Sequence, residues 1–344
     1  MRWLIAAPFS TSKSDPWLGR FVAGRGHTFE SVPAGYAHDR SRATTDAAGW
    51  FDYLGHARRT LRAVARSDTA TGIITCFPQI PTMLGLLSRF TFRKVPVIAW
   101  AFNLGVLPTG LKRHFSRLAL RRTALFVVHS RAEIEACSRW LGLSRERFVF
   151  VPLQCPRRET TLPENVDEPF LLSMGSANRD YALLFDVVRE LGIRTVVVAG
   201  QHAVAHLDKP ANVELKSGLS AEQCHALLQA CRVNVVPVAN AQTASGQVTL
   251  LDGLAFGRPT VVTSCPGSVD YIEDGVTALA VAPGDREQMK AAIARLWGDA
   301  GLRARLSEAA RADALDRFTD EAVGRALGRI CDDIERQRAP LASR

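Results

Sequence analysis

Short, unbroken apolar runs alternate with segments of helical periodicity through the first part of this chain. Arg2 to Pro8, Thr71 to Cys76, Val95 to Ala101 and Ala124 to Val128 are continuous in the way of strands buried on both faces. Gly49 to Ser67 and Pro81 to Phe90, between them, carry the spacing of an amphipathic helix. Arg147 to Pro152 closes this series, and the proline-rich polar stretch Leu153 to Asn165 reads as a linker. A second series follows. Phe170 to Met174, Thr195 to Ala199, Val213 to Leu215, Val233 to Pro237, Thr260 to Ser264 and Ala278 to Val281 read as strands, and Tyr181 to Leu191, Ser220 to Ala230, Val248 to Phe256 and Arg286 to Trp297 as helices. Strand and helix alternate in both series, so the chain is α/β, with two doubly wound Rossmann-like domains expected. Ligands of such sheets sit beyond the carboxyl ends of the strands, which makes a cleft between the domains the expected site.

The segment Thr243 to Val262 carries the most chemistry. Ser245, Gly246 and Gln247 form a polar turn before the apolar positions Val248, Leu250, Leu251, Leu254 and Ala255, so the free N–H groups of a helix start, Thr249 included, point out of the turn. Gly246 lets an anion approach the backbone. Asp252, about two helical turns further on, is placed to meet a ribose hydroxyl while the turn holds a diphosphate. The same pattern also describes an ordinary capped helix. Other loops after the strands are similar in kind. Gly175 and Ser176 turn the chain before a helix start, with Arg179 in reach of a phosphate or of Asp180 and Asp186; Gly200 precedes His202; and Lys216 to Ser220 carries Gly218 and a Ser220 cap.

Composition narrows the class. At 344 residues and 47% hydrophobic the chain is globular and long enough for two domains. No apolar run approaches the roughly 18 residues of a membrane span, and the first strand-like segment opens at Arg2, so neither a signal peptide nor a span is expected. Seven scattered cysteines without a C-x-x-C pair suggest free thiols and a cytoplasmic protein. The net charge of +9 is uneven: 24 Lys and Arg stand against 10 Asp and Glu up to residue 160, and 19 against 24 beyond it. Arg58, Arg59, Arg62 and Arg66, and Lys112, Arg113, Arg117, Arg121 and Arg122, interleave with Leu111, Phe115, Leu118 and Leu120 at helical spacing. Such a basic amphipathic face suits the inner face of an anionic membrane or a phosphorylated acceptor, or it is a solvated helix. Nucleic acid is not expected, for want of aromatic-basic interleaving, a zinc knuckle or a recognition helix.

Taken in order, Gly175, Val196 to Gly200, Val213 to Leu219, Ala221 to Pro237, Leu251 to Val262, Gly267 to Gly275, Val281 to Asp285 and Arg311 to Phe318 resemble the C-terminal half of retaining GT-B glycosyltransferases of family four, the glycosyl transferases of group 1. In the first half only the layout and Val128 to Glu135 look similar. The resemblance implies a GT-B fold: an acceptor-binding domain over 1–155, a linker over 156–168, a donor domain over 169–317, and a helix over 318–344 that crosses back to the first domain. It also implies transfer of a sugar from a nucleoside diphosphate to a saccharide or lipid-linked acceptor, with retention, with no metal and no cofactor besides the donor. Gly175, Ser176, Arg179, Lys216, Ser245, Gly246, Gln247, Val248, Thr249 and Asp252 would then hold the donor; Arg179, Asn103 and Asp15 would serve catalysis or acceptor placement; and the arginine faces would meet the acceptor or membrane.

The sequence departs from the family where chemistry is expected. Of the two carboxylates that the family places eight residues apart, the second matches Asp252 and the first falls on Ala244. Ser176 stands at the family's arginine, leaving Arg179 as the nearest guanidinium, and Asn103 stands in the region of a family histidine. Two other readings share the fold: a non-catalytic nucleotide-sugar-binding or partner subunit, and a sugar epimerase, which would need an acid/base pair. A dehydrogenase is disfavoured because Ala7-Pro8-Phe9-Ser10 follows the first strand in place of G-x-G-x-x-G.

Overall fold

The computed structural model describes residues 1–22, 26–36, 46–88, 95–105, 107, 109–239 and 242–338. It divides into two compact units, Met1–Pro152 with Asp320–Arg344, and Leu153–Thr319.

The first unit is built on β1 (Arg2–Ala6), a 3-10 turn at Trp17–Phe21, β2 (Thr28–Ser31), α1 (Ala47–Ala65), β3 (Thr71–Cys76), α2 (Gln79–Leu87), β4 (Val97–Trp100), α3 (Gly110–Leu120), β5 (Leu125–Val128), α4 (Arg131–Leu141) and β6 (Phe148–Phe150). All six strands are parallel, in the order β2-β1-β3-β4-β5-β6. Trp3, Leu4, Ile5, Ile73, Ile74, Phe126 and Val127 are buried, which is why these strands read as continuous apolar runs. The edge strand β2 escapes that pattern because Thr28-Phe29-Glu30-Ser31 is half polar. An ion pair of Arg2 with Glu30 at 2.5 Å ties it to β1.

The second unit contains β7 (Leu171–Met174), α5 (Tyr181–Leu191), β8 (Thr195–Val198), α6 (Gln201–Val204), β9 (Val213–Lys216), α7 (Ala221–Ala230), β10 (Val233–Val236), α8 (Gln247–Ala255), β11 (Thr260–Thr263), β12 (Leu279–Val281), α9 (Arg286–Gly298) and α10 (Ala300–Arg317). Its parallel order β12-β11-β10-β7-β8-β9 is that of a dinucleotide-binding sheet, reversing direction between β7 and β10. The side chain of Asp180 caps α5, and Ser220 and Gln223 form a capping box on α7.

One boundary differs from the sequence reading. The supposed linker is packed on the second unit: Cys155 N–H donates to Phe318 O at 2.7 Å, Thr161 N–H donates to Gln229 Oε1 at 2.6 Å, and Glu164 pairs with Arg232 at 2.6 Å. The last helix, α11 (Asp320–Arg338), belongs to the first unit, where Val323, Leu327, Ile330, Cys331 and Ile334 share a core with Trp3, Ile5 and Trp100. Residues 339–344 lie outside the described ones. No described helix is long and apolar enough to cross a membrane. All seven cysteines are free.

Candidate functional site

A parallel sheet opens a crevice where its strand order reverses, because the helices after the two flanking strands leave toward opposite faces. In the second unit that point lies between β7 and β10, and the loops leaving them are stitched together there. An isolated bridge joins Arg179 to Val238, Ala239 N–H donates to Asn178 O at 3.2 Å, and Asp180 N–H donates to Pro237 O at 3.2 Å. Gly175, with φ 111°, makes the turn, and any Cβ there would come within 2.6 Å of the Arg179 guanidinium.

Arg179 is the centre of the constellation. Its Nε donates to Met174 O at 3.1 Å, Nη1 to Ala177 O at 2.9 Å and Nη2 to Thr249 Oγ1 at 3.0 Å. All three acceptors are neutral. Neither Asp180 nor Asp186, its alternatives in the sequence, pairs with it: Asp180 caps α5 and Asp186 pairs with Arg189. Burial pulls the guanidinium below its ordinary pKa. A half-buried cation without a carboxylate is costly in the free protein, and an arriving anion removes that cost.

The start of α8 faces the same place. Gly246 is its N-cap at φ 83°, with no side-chain cap on the first turn, and Ser245, Gln247 and Val248 surround the first N–H groups of the helix. Val248 is 59% exposed, which leaves this helix end open to solvent. Thr249 both accepts from Arg179 and donates to Gly246 O at 3.1 Å. Gln247 Nε2 donates at 3.1 Å to the hydroxyl of the buried Tyr271, which also accepts from Leu153 N–H at 3.0 Å. Asn178 clamps the loop from the other side, its Nδ2 donating to Ser245 Oγ at 3.0 Å from a left-handed backbone, φ 55°. Sequence reasoning missed Asn178 and Tyr271. The one signal for Asn178 was its type, since asparagine tolerates that backbone conformation.

The remaining candidates are engaged elsewhere. Ser176 Oγ accepts from Gly200 N–H at 2.7 Å, binding two loops together, and Lys216 pairs with Glu214. Asp252, expected at a ribose, instead accepts on Oδ1 from Arg158 Nη2 at 2.9 Å and from Cys155 Sγ at 3.6 Å, with His225 at 3.7 Å from Oδ2. That carboxylate fastens the segment before β7 to α8. In the first unit, Asp15 Oδ1 accepts from Trp17 N–H at 2.9 Å and from Arg20 at 2.7 Å, and Asn103 Oδ1 accepts from Gly105 N–H at 2.7 Å, so both serve their own loops.

The basic face divides in two. Arg113 and Arg117 donate to Trp140 O at the end of α4, at 3.1 and 2.8 Å, Arg122 donates to Ser88 O at 3.2 Å, and Arg59 donates to Ala34 O. Cations at helix carboxyl ends are ordinary structural capping. Arg58, Arg62, Arg121 and Lys112 face solvent. Among the described residues no cluster of His, Cys, Asp or Glu is arranged to hold a metal ion.

The turn at the switch point of the second sheet gathers donors that suit an anion, and comparison with known proteins gives the two-unit α/β fold its class. Residues 169–299 match the model of the glycosyl transferases of group 1. No curated protein matches the sequence. Among solved structures, the sucrose-phosphate synthase of Thermosynechococcus elongatus is 16% identical with a TM-score of 0.73, covering 98% of this chain and 99% of its own. Anabaena HepE in complex with UDP is 13% identical at 0.69, covering 97% and 100%, and a glycosyltransferase from Rickettsia africae is 14% identical at 0.68, covering 100% and 99%. The chain has the GT-B fold of these structures, and the match to the group 1 model lies within its second unit.

Proposed function

We propose that this protein is a metal-independent, retaining glycosyltransferase that moves a hexosyl group from a nucleoside diphosphate to an acceptor hydroxyl in bacterial polysaccharide or glycolipid assembly. The observation that carries this reading is Arg179, a half-buried guanidinium held only by neutral acceptors beside the uncapped start of α8. HepE, of similar fold, is solved with UDP-glucose. As the bond from C1 to the phosphate oxygen breaks, negative charge gathers on the departing diphosphate. The guanidinium, Thr249 and the backbone N–H groups of the first turn of α8 stabilise that charge more than they stabilise the bound donor. The acceptor oxygen bonds to C1 from the same face, and its proton passes to the departing phosphate oxygen, so no protein base is required. Arg179→Ala should weaken UDP binding by about 1.5 to 3 kcal/mol, tenfold or more, with a parallel loss of UDP-sugar hydrolysis. Unchanged calorimetric affinity for UDP would sink the assignment.

The acceptor on this reading is a saccharide, carried on a lipid at an anionic membrane. Between Asp68 and Glu133 the sequence has nine Lys and Arg and no Asp or Glu. Within that stretch Leu111 and Phe115, one turn apart on α3, are 77% and 58% exposed beside the exposed Lys112. With the arginines Arg113 and Arg117 capping α4, these three side chains support membrane contact better than the arginine face as a whole. Leu111→Ser with Phe115→Ser should lower the partition onto anionic vesicles about thirtyfold or more, each lost apolar side chain being worth roughly 1 to 2 kcal/mol. Equal sedimentation of variant and parent would point to a soluble acceptor.

A further inference from the structure

The carboxyl edge of the first sheet spends backbone strain on presenting aromatic rings. Four non-glycine residues among those described have positive φ, and three of them lie here: Trp17 at 47°, Phe77 at 65° and Ala101 at 50°. A large side chain in this region costs about 1 to 3 kcal/mol per residue and persists only where surrounding contacts impose it. Those contacts are present. Asp15 holds Trp17 N–H, and Phe77 N–H donates to Trp100 O at 3.0 Å. The result is a continuous cluster in which Phe9 lies 5.6 Å from Trp17 and 6.4 Å from Phe77, and Trp17 lies 5.6 Å from the buried Trp100. Phe9 and Phe77 leave β1 and β3, the two strands at which this sheet changes direction, and Phe9 is 38% exposed.

Among the described residues, hydrogen-bonding neutral groups stand beside the rings. Thr11, Ser12 and Ser14 are exposed in the Phe9 loop, and Asn103 follows Trp100 with its Nδ2 left over from its own turn. The charged members of that loop are paired, Lys13 with Glu30 at 2.8 Å, a carboxylate it shares with Arg2, and Asp15 with Arg20. Two buried polar atoms at the same edge, Ser10 Oγ and Trp100 Nε1, have no hydrogen-bond partner among the described residues. A lipid chain offers such groups nothing, and each charge in the loop already has a partner. A sugar ring answers both features, laying its C–H face on an aromatic ring and its hydroxyls on a neutral polar rim.

We propose that Phe9 and Trp17 form a stacking platform for a neutral saccharide, the acceptor of the transfer proposed above, with Asp15 as a positioning residue that fixes Trp17. The inference rests on that reading for the word acceptor, and its test is independent of the donor. Tryptophan emission of the full chain is titrated with methyl glucoside, methyl galactoside, methyl mannoside and cellobiose, with farnesyl phosphate as the lipid control, and UDP affinity is measured alongside. At least one saccharide should shift the emission saturably. Phe9→Ala should weaken that saccharide at least tenfold, Phe9→Tyr should retain it, and UDP affinity should be the same in all three proteins. No response to any saccharide in the panel, an equal response in Phe9→Ala, or a response to farnesyl phosphate alone overturns the platform. Loss of UDP binding in the parent protein would instead overturn the donor reading and leave the platform standing.

Discussion

At the residue scale, a side chain's role here follows from whether a partner inside the protein already consumes its hydrogen-bonding capacity. Asn178 illustrates the point, because its left-handed backbone and its bond to Ser245 Oγ fix both the guanidinium beside it and the loop opposite. Asn178→Ala should lose about 1 to 2 kcal/mol of stability, combining the backbone penalty with the missing bond. Asn178→Gly should recover the backbone part only. UDP affinity should fall in both, since neither holds Ser245; retention of full affinity in both would show that the clamp does not shape the site. The grouping of Gly175, Arg179, Gly246 and Thr249 was legible in the sequence because glycine turns and helix starts are local patterns. The partners of Ser176, Lys216, Asp252, Asp15 and Asn103 were not, because hydroxyl, ammonium, carboxylate and amide groups are chemically suited to a ligand and to a neighbour alike. Arg158, which occupies Asp252, is 94 positions away in the chain.

At the element scale, strands buried on both faces were read to within a residue or two, and β2 was missed because an edge strand need not be apolar. The segment from Leu153 to Asn165 misled for a related reason. Proline and arginine suggest a solvated linker, yet here they describe an extended strap fixed by side-chain bonds, with Arg158 lying over the Phe256 ring and paired with Asp252. Removing one partner of a largely buried pair leaves an uncompensated charge. Asp252→Ala should therefore cost about 2 to 3 kcal/mol, and Asp252→Asn less, because an amide oxygen still accepts from Arg158. A double-mutant cycle with Arg158→Leu should return a coupling of about 1 to 2 kcal/mol in denaturant melts. Additive single effects would mean that the strap is held by its backbone bonds, and that Asp252 is open to the ribose role its position first suggested.

At the scale of the whole molecule, the two sheets place their irregular, strained or uncapped segments on the same carboxyl edges, and the surrounding framework must keep its buried polar groups uncharged. Two histidines of the first unit set the pH limit of that framework. His56 is buried, with Nε2 bonded to Val32 O at 2.8 Å and Nδ1 to the Tyr36 hydroxyl at 3.1 Å, and His129 is buried with Nδ1 bonded to Val151 O at 2.7 Å. Burial pushes each down to about 4, against the bonds to Val32 and Val151 that work the other way. An unfolded chain takes up these protons near pH 6.5, whereas the folded chain does so only near 4, so between those values the unfolded state binds more protons and stability rises with pH. The stability the neutral rings permit is present in full above about 6.5, falls as the pH drops, and stops falling on their account below about 4. The loss is on the order of 3 kcal/mol for each ring across that window. Thermal melts from pH 7 to pH 4 should thus show a steep decline that begins well above the carboxylate range. In a His56→Gln, His129→Gln variant, less stable at neutral pH for want of the original packing, the decline should begin only as the carboxylates take up protons. A variant whose melting temperature falls from pH 6.5 as steeply as the parent's would show that other groups bind the protons.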